Sequence, residues 1–423
     1  MIYFLPDSQD LVDPSFDFER EDRSETRMRY RDDLYAHQIF KRRAYDGLLV
    51  SKGIVDGFGQ NSARYTLSQR MRFLRQGAKA FCRTSQCPWG TLPIMGDCGG
   101  FTYVHEDVPP YTVDEVIAFY LEGQFDQGVS VDHVILDFQP SWDDVDAPGK
   151  EKAARRQAIT LALAEEFFNT SQREKVPFTP MGVAQGWSPK SYAASVAALQ
   201  AMGYAYIAMG GMVPLKTHEI LACLHEIDRI RKPETRMHLL GVTRIEEVLT
   251  FERLGVASFD STSPLLKAFK DDKSNYFTPQ GAYPAIRIPQ VDGNAKLKAA
   301  ILSGQVSQDL ALKLERASLK ALKLLDEDGC TVEQALDPIL AYHELCGGKP
   351  KQVVSYKKVL EARPWKDCSC EICTKLGYHV IVFRGAERNR RRGFHNIWTF
   401  YQNLHRNLVQ PGVTPPLFTE CTS

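Results

Sequence analysis

The sequence predicts an α/β fold, a (β/α)8 TIM barrel with a helical C-terminal extension and a zinc-binding subdomain. Three observations carry this expectation. Between residues 2 and 261, eight short apolar runs alternate with longer stretches of helical periodicity, the pattern of strand–helix units repeated around a parallel sheet. Beyond residue 294 the strand-like runs give way to amphipathic helices, and residues 368–395 hold three cysteines in the form C-x-C-x2-C followed by a histidine. A doubly wound open sheet is the alternative for the same alternation, because strand counts read from sequence are error-prone.

The candidate strands are IYFLP (2–6), GLLVSK (47–52), LPIMGD (92–97), HVILDF (133–138), FTPMGVAQ (178–185), YIAMGG (206–211), MHLLGV (237–242) and ASFDS (257–261). Between them, TVDEVIAFYLEGQF and EKAARRQAITLALAEEFFNT read as amphipathic helices. The charge-free stretch from Ser191 to Leu215 is interrupted by Gln200, glycines and Pro214, so it reads as a helix followed by a strand and not as a membrane span. Residues 271–294, rich in Pro, Gly and Asn, read as a long loop, and residues 295–362 as several helices, with LSGQVSQDLALKLERASLKALKLLDEDG the clearest. FHNIWTFYQNLHRNL is a final helix, and VQPGVTPPLFTECTS a loosely held tail. The expected division is a barrel over 1–270, a loop and helical insertion over 271–362, a zinc-binding subdomain with its closing helix over 363–410, and the tail over 411–423.

Composition narrows the class without naming a partner. The 423 residues carry 52 Lys/Arg against 52 Asp/Glu, so net charge indicates neither nucleic acid nor membrane. The charge is unevenly placed: the first 27 residues hold eight acids against three arginines, and residues 351–423 hold twelve Lys/Arg against five acids. A basic surface is expected near the C-terminus. MIYFLP is too short for a signal-peptide core, so a cytoplasmic protein without a membrane partner is expected. Ten cysteines, seven of them scattered singly, do not form a disulfide framework.

Functional groups of a parallel barrel collect at the C-terminal ends of its strands. Asp97 ends the third candidate strand, Asp137 the fourth and Asp260 the eighth, while Gln185 ends the fifth and Gly210 with Gly211 the sixth. An aspartate after a strand also serves as a helix cap or turn former. Three at equivalent rims suit chemistry at an anomeric carbon, where one carboxylate attacks and another moves protons. A third can read a guanine-like edge, with the glutamine supplying a donor and an acceptor. No GxxxxGKS/T loop and no GxGxxG after a strand occurs, so neither phosphate-driven nor nicotinamide chemistry has support.

Cys368, Cys370 and Cys373, with 21 residues between the last of them and His395, have the makeup of a closed structural zinc site. His379 and His405 are rival fourth ligands, and an iron–sulfur cluster, a redox pair or coincidence are the other readings of the cysteines. The run Arg388, Arg390, Arg391, Arg392 reads either as a solvated surface loop or as a phosphate contact beside the zinc.

The ordered motifs GDCGGF, ILDFQP, VAQGW, IAMGGM, LLGV and FDSTSP, with CSCEIC and FHNIWTFYQ after them, resemble the tRNA-guanine transglycosylases over roughly residues 90 to 405. The resemblance implies a nucleophile at Asp260, a second catalytic aspartate at Asp97, base recognition by Asp137, Gln185 and Gly210 or Gly211, and one structural zinc on Cys368, Cys370, Cys373 and His395. It implies exchange of guanine for a 7-deazaguanine through a covalent nucleotide–enzyme intermediate. Where the bacterial tRNA enzymes continue from the nucleophile with Pro-Thr-Arg, this chain has SPLLKAF, and no further RNA-binding domain follows the zinc helix. These departures, with the opening FLPDSQDLVDPSFDF and the segment RRRGFHN, are similar to the DNA-modifying branch, the DpdA type, which inserts 7-cyano-7-deazaguanine (preQ0) into DNA alongside other proteins of a modification and restriction system. The competing readings are a tRNA-modifying transglycosylase, a catalytically silent zinc-bearing subunit that binds nucleic acid, and a sugar hydrolase.

Overall fold

The structure, a computed structural model, describes residues 1–58, 63–271, 273–348 and 351–408. The tail expected over 411–423 lies outside the described residues. The chain parts into two compact units. Among the described residues, one comprises Met1–Gln9, Tyr45–Thr262 and residues 403–408; the other comprises Asp10–Ala44 and Ser263–Gln402. Residues 10–44, which the sequence reading ran into the barrel, thus belong to the second unit.

The first unit is the barrel. Its strands are β1 (Ile2–Pro6), β2 (Gly47–Ser51), β3 (Ile94–Asp97), β4 (Gln127–Val129), β5 (Thr179–Ala184), β6 (Tyr206–Met209), β7 (Arg236–Leu239) and β8 (Val256–Asp260). Each pairs with the next, all in parallel, and β8 pairs with β1 to close the sheet. The first six strands supply an interior layer of Phe4, Leu49, Met95, Val129, Met181, Val183, Tyr206 and Ala208, so the lumen is a packed core and ligands are confined to its rim. The helices between strands start where their sequences dictate. Thr112 and Glu115 exchange side-chain and backbone hydrogen bonds of 3.2 and 2.8 Å at the head of Val113–Glu122, and Ser188 accepts from the Ser191 amide before Pro189–Met202. No helix among the described residues is long and apolar enough to cross a membrane.

The fourth strand corrects the sequence reading. It is the short Gln127–Val129, and HVILDF follows it as a buried, extended segment outside the sheet, up to Ile135. Side chains take the place of a strand partner there. The Thr160 hydroxyl accepts from the His133 amide, Gln185 Oε1 accepts from the Ile135 amide, and Arg156 donates to the Val134 carbonyl. These bonds satisfy a backbone that burial would otherwise leave unpaired.

The second unit holds the helices Ala295–Leu302, Gln308–Asp326, Val332–Leu345 and Lys351–Ala362. The expected loop instead contains a hairpin, Tyr276–Thr278 with Gly281–Tyr283, and a short strand, Ile286–Arg287, paired with Val382–Phe383. The arginine run lies on the helix Gly385–Leu408, and it is neither a surface loop nor a basic face. Arg388, Arg391 and Arg392 are buried, at 1, 5 and 0% exposure. Arg388 meets the Glu21 carboxylate at 2.5 Å and donates to the Phe18 carbonyl at 2.7 Å. Arg391 pairs with Glu387 at 2.6 Å and donates to the Asp13 carbonyl, and both guanidinium groups lie over the Phe18 ring. The half-buried Arg390 lies 3.7 Å from Asp10. Glu21 and Glu387 neutralise two of the buried arginines inside this unit, which is why the run does not show as a basic surface.

Arg392 has no acid. It donates to the carbonyls of Ala268, Val380 and Val382 and to Asn389 Oδ1, at 2.6–3.2 Å. Arg392→Met keeps much of the volume but strands those buried acceptors, so it should cost about 3 kcal/mol or more. A urea midpoint equal to wild type would show that the run is not structural.

Candidate active site and metal centre

The rim of the barrel encloses a cavity of about 230 Å³ whose polar lining includes Asp97, Asp132, Gln185 and Asp260, with Gly210 and Gly211 beside them. Asp97 is the last residue of β3, paired in register with Ser51 at the end of β2. Its Oδ2 accepts from the Gly99 amide at 3.1 Å. Desolvation is the largest influence on this carboxyl, the charge of Asp132 the next, and with Asp260 adding to them they raise its pKa to about 7 against the restraining Ser51 hydroxyl and Gly99 amide. A group poised there both gives and takes a proton near neutrality.

Asp132 sits three residues beyond β4, buried at 4% exposure. Its Oδ1 accepts from the Cys98 thiol at 3.1 Å and its Oδ2 from Gln185 Nε2 at 2.6 Å. Burial raises its pKa, and these two donors restrain the rise. Each carboxylate oxygen keeps a further lone pair for a ligand. Gln185 packs this tightly because two glycines follow β6. A Cβ on Gly210 would lie 2.1 Å from Gln185 Nε2, and one on Gly211, whose φ is +71°, would lie 2.4 Å from the Ile135 carbonyl oxygen.

Asp260 ends β8 and is 7% exposed. Its Oδ1 accepts from His238 Nε2 at 3.1 Å and from the Gly241 amide at 3.0 Å. Phe101, half exposed at 51%, lines the same cavity, where an aromatic face suits a flat ligand.

In the second unit, Cys368, Cys370, Cys373 and His395 bring their ligand atoms within 4.8 Å of one another. His395 Nδ1 lies 3.3–3.5 Å from the three sulfurs, and Nε2 donates to the Phe277 carbonyl at 2.8 Å. That outward hydrogen bond fixes the tautomer with Nδ1 turned to the cysteines, the orientation a metal-ligating imidazole needs. Tyr276 stacks on the His395 ring at 4.1 Å. His379 is elsewhere: its Nδ1 contacts Arg388, and burial followed by the Arg388 charge pushes its pKa down to about 4. The cluster can hold one metal ion in a closed tetrahedral set.

No family model matches the chain. It is 50% identical over 410 residues, 96% of its own length and 97% of the relative's, to a DNA-guanine transglycosylase of Salmonella montevideo. The chain belongs to the DNA-guanine transglycosylase family. It is thus an enzyme of the pentosyltransferase type, in the wider superfamily of the tRNA-guanine transglycosylases.

In this transglycosylase the barrel gathers Asp97, Gln185, Gly210, Gly211 and Asp260 at one cavity, as their strand-end positions require. Asp137 is not among them. It is exposed, because HVILDF leaves the sheet before reaching it, and Asp132 occupies the cavity instead. Sequence reasoning missed Asp132 by taking the apolar run as the strand; the acid preceding that run was the available signal. It also passed over His238, the one polar residue within MHLLG.

Asp97 leaves a thermodynamic trace. Its carboxyl holds a proton in the folded chain at a pH where the unfolded chain, with a value near 3.8, has released it. The stability this confers is present at low pH and is lost as pH rises toward about 7. Asp97→Asn cannot titrate, so its melting temperature should gain on wild type between about pH 4 and pH 8. A constant difference across that range would mean the carboxyl is not perturbed.

Proposed function

We propose that this chain replaces guanine in DNA with 7-cyano-7-deazaguanine, in the cytoplasm, as one component of a DNA modification and restriction system. The observation that carries the reading is the convergence of Asp97, Asp132 and Asp260 on one cavity in a chain half identical to a DNA-guanine transglycosylase.

The target nucleotide must leave the helix before its anomeric carbon is accessible. The extruded guanine lies against Phe101 and presents its N–H and amino donors to Asp132, which reads the base where the sequence comparison had implied Asp137. Gln185 holds Asp132 in place, and Gly210 and Gly211 give both the room. Asp260 attacks the anomeric carbon; the bond to guanine breaks with its electron pair on the base, which takes a proton from Asp97. Free 7-cyano-7-deazaguanine, which shares the guanine edge, then occupies the emptied pocket. Asp97 removes its proton, the base nitrogen attacks the same carbon, and the ester electrons return to Asp260. Two inversions give net retention. A base without the 2-amino group binds poorly, since it leaves buried acceptors unpaired.

Asp260→Asn should abolish both exchange and the covalent DNA adduct on a denaturing gel. Labelled 7-cyano-7-deazaguanine offered with DNA and with tRNA should enter DNA alone. Uptake into tRNA would move the enzyme to the tRNA branch, and exchange at the wild-type rate by the Asn variant would refute the nucleophile.

The cluster of Cys368, Cys370, Cys373 and His395 holds one structural zinc, with no open position for chemistry. Elemental analysis should find one zinc per chain, and Cys370→Ser should lose the metal and with it thermal stability. A metal-free wild type, folded as stably as the metal-loaded form, would overturn this role.

A further inference from the structure

Asp260 is occupied on one side only. His238 and Gly241 both donate to Oδ1, and among the described residues no hydrogen bond reaches Oδ2. Behind His238 the contacts continue into the barrel. Its Nδ1 lies 2.6 Å from Ser258 Oγ, which lies 2.5 Å from the Tyr206 hydroxyl. His238 and Ser258 are fully buried and Tyr206 is 8% exposed. The register explains the alignment: His238 on β7 pairs with Ser258 on β8, and Asp260, two residues further along β8, faces the same way.

Donor counting gives these contacts a direction. A carboxylate only accepts, so Nε2 of His238 carries the proton shared with Asp260. Nδ1 then accepts from Ser258, whose oxygen accepts from Tyr206. This arrangement uses each hydroxyl proton once and leaves no buried donor idle. A histidine kept only for packing would not need a serine and a tyrosine to fix its tautomer.

We infer that Tyr206, Ser258 and His238 are positioning residues that reserve Oδ2 of Asp260 for attack and make Oδ1 the oxygen that carries charge. The inference rests on Asp260 being the nucleophile. In the covalent intermediate Oδ1 is the ester carbonyl. When the incoming base displaces the sugar, the electron pair of the breaking C–O bond returns to the carboxylate, and the N–H groups of His238 and Gly241 already face Oδ1. No reorganisation is required at that moment, which is the condition under which such donors lower a barrier.

The test uses the full-length chain and guanine-for-guanine exchange into DNA, with radiolabelled guanine as the probe. His238→Phe keeps a ring and removes both nitrogens; its kcat should fall about 100-fold, with KM for DNA within about twofold of wild type. In His238→Gln a terminal amide can take the place of Nε2–H, and kcat should recover to within about tenfold of wild type. Tyr206→Phe, which removes only the far donor, should lose about three- to tenfold. Wild-type kcat in a folded His238→Phe, or a Gln variant no faster than Phe, overturns the positioning role. If His238→Phe does not fold, wild-type kcat in both Tyr206→Phe and Ser258→Ala overturns it instead. Asp260→Asn run in parallel separates the two assignments: an adduct surviving there refutes the nucleophile, whereas its loss beside an unimpaired His238→Phe refutes only the positioning.

Discussion

The pairing of β8 with β1 is the contact on which the rest of the site depends. It sets Asp260 beside Phe4 and turns eight strands into a ring without an edge. Once the ring is closed, every strand end faces the same cavity, so groups far apart in sequence become neighbours. Ser51 on β2, Asp97 on β3, the glycines after β6 and Asp260 on β8 are separated by 46, 113 and 49 residues respectively along the chain, and nothing local would bring them together. The interior layer from Phe4 to Ala208 keeps the ring from collapsing, and the ligand is left only the rim.

Closure has an electrostatic consequence. Three carboxylates share one small, partly desolvated space, and each is held by a different set of donors. Asp132 has a donor on each oxygen and Asp260 has two on one oxygen. Asp97 has a single backbone amide and a serine, and it bears the field of both other acids. Asp97 has as many donors as the other two, so burial and the charge of its neighbours are what raise its pKa to about 7. A carboxyl poised there suits a reaction that moves a proton on and off a base.

Much of this was legible in the sequence, and the unread parts share a cause. Strand-end motifs such as GDCGGF and FDSTSP mark rim positions, because a barrel strand must stop where its apolar run stops. The fourth strand failed that test since QGV carries almost no strand signal, while HVILDF, apolar and buried up to Ile135, is held by side chains from two other segments, the helix Pro148–Glu174 and the end of β5. Its partners are set by tertiary structure, which no local pattern encodes. The same holds for His238: a histidine in an apolar strand is visible, but its tautomer depends on Ser258 and Tyr206 from neighbouring strands. The cysteine cluster was readable because its ligands lie close in sequence and the distant histidine sits on a recognisable helix.

The arginine run shows the opposite limit. A block of cations reads as surface because isolated charges are costly to bury, yet here Arg391 pairs with Glu387 on its own helix and Arg388 with Glu21, which lies more than 360 residues earlier. The guanidinium groups of Arg388, Arg391 and Arg392 are buried against carboxylates and carbonyls, and freeing them to reach a phosphate would strand those acceptors at several kcal/mol each, about the cost of breaking a buried pair. A polyanion cannot recover that from a backbone contact that releases a single counterion. The run's own work is to fasten the N-terminal segment around Asp13 and Glu21 to the helix that carries His395.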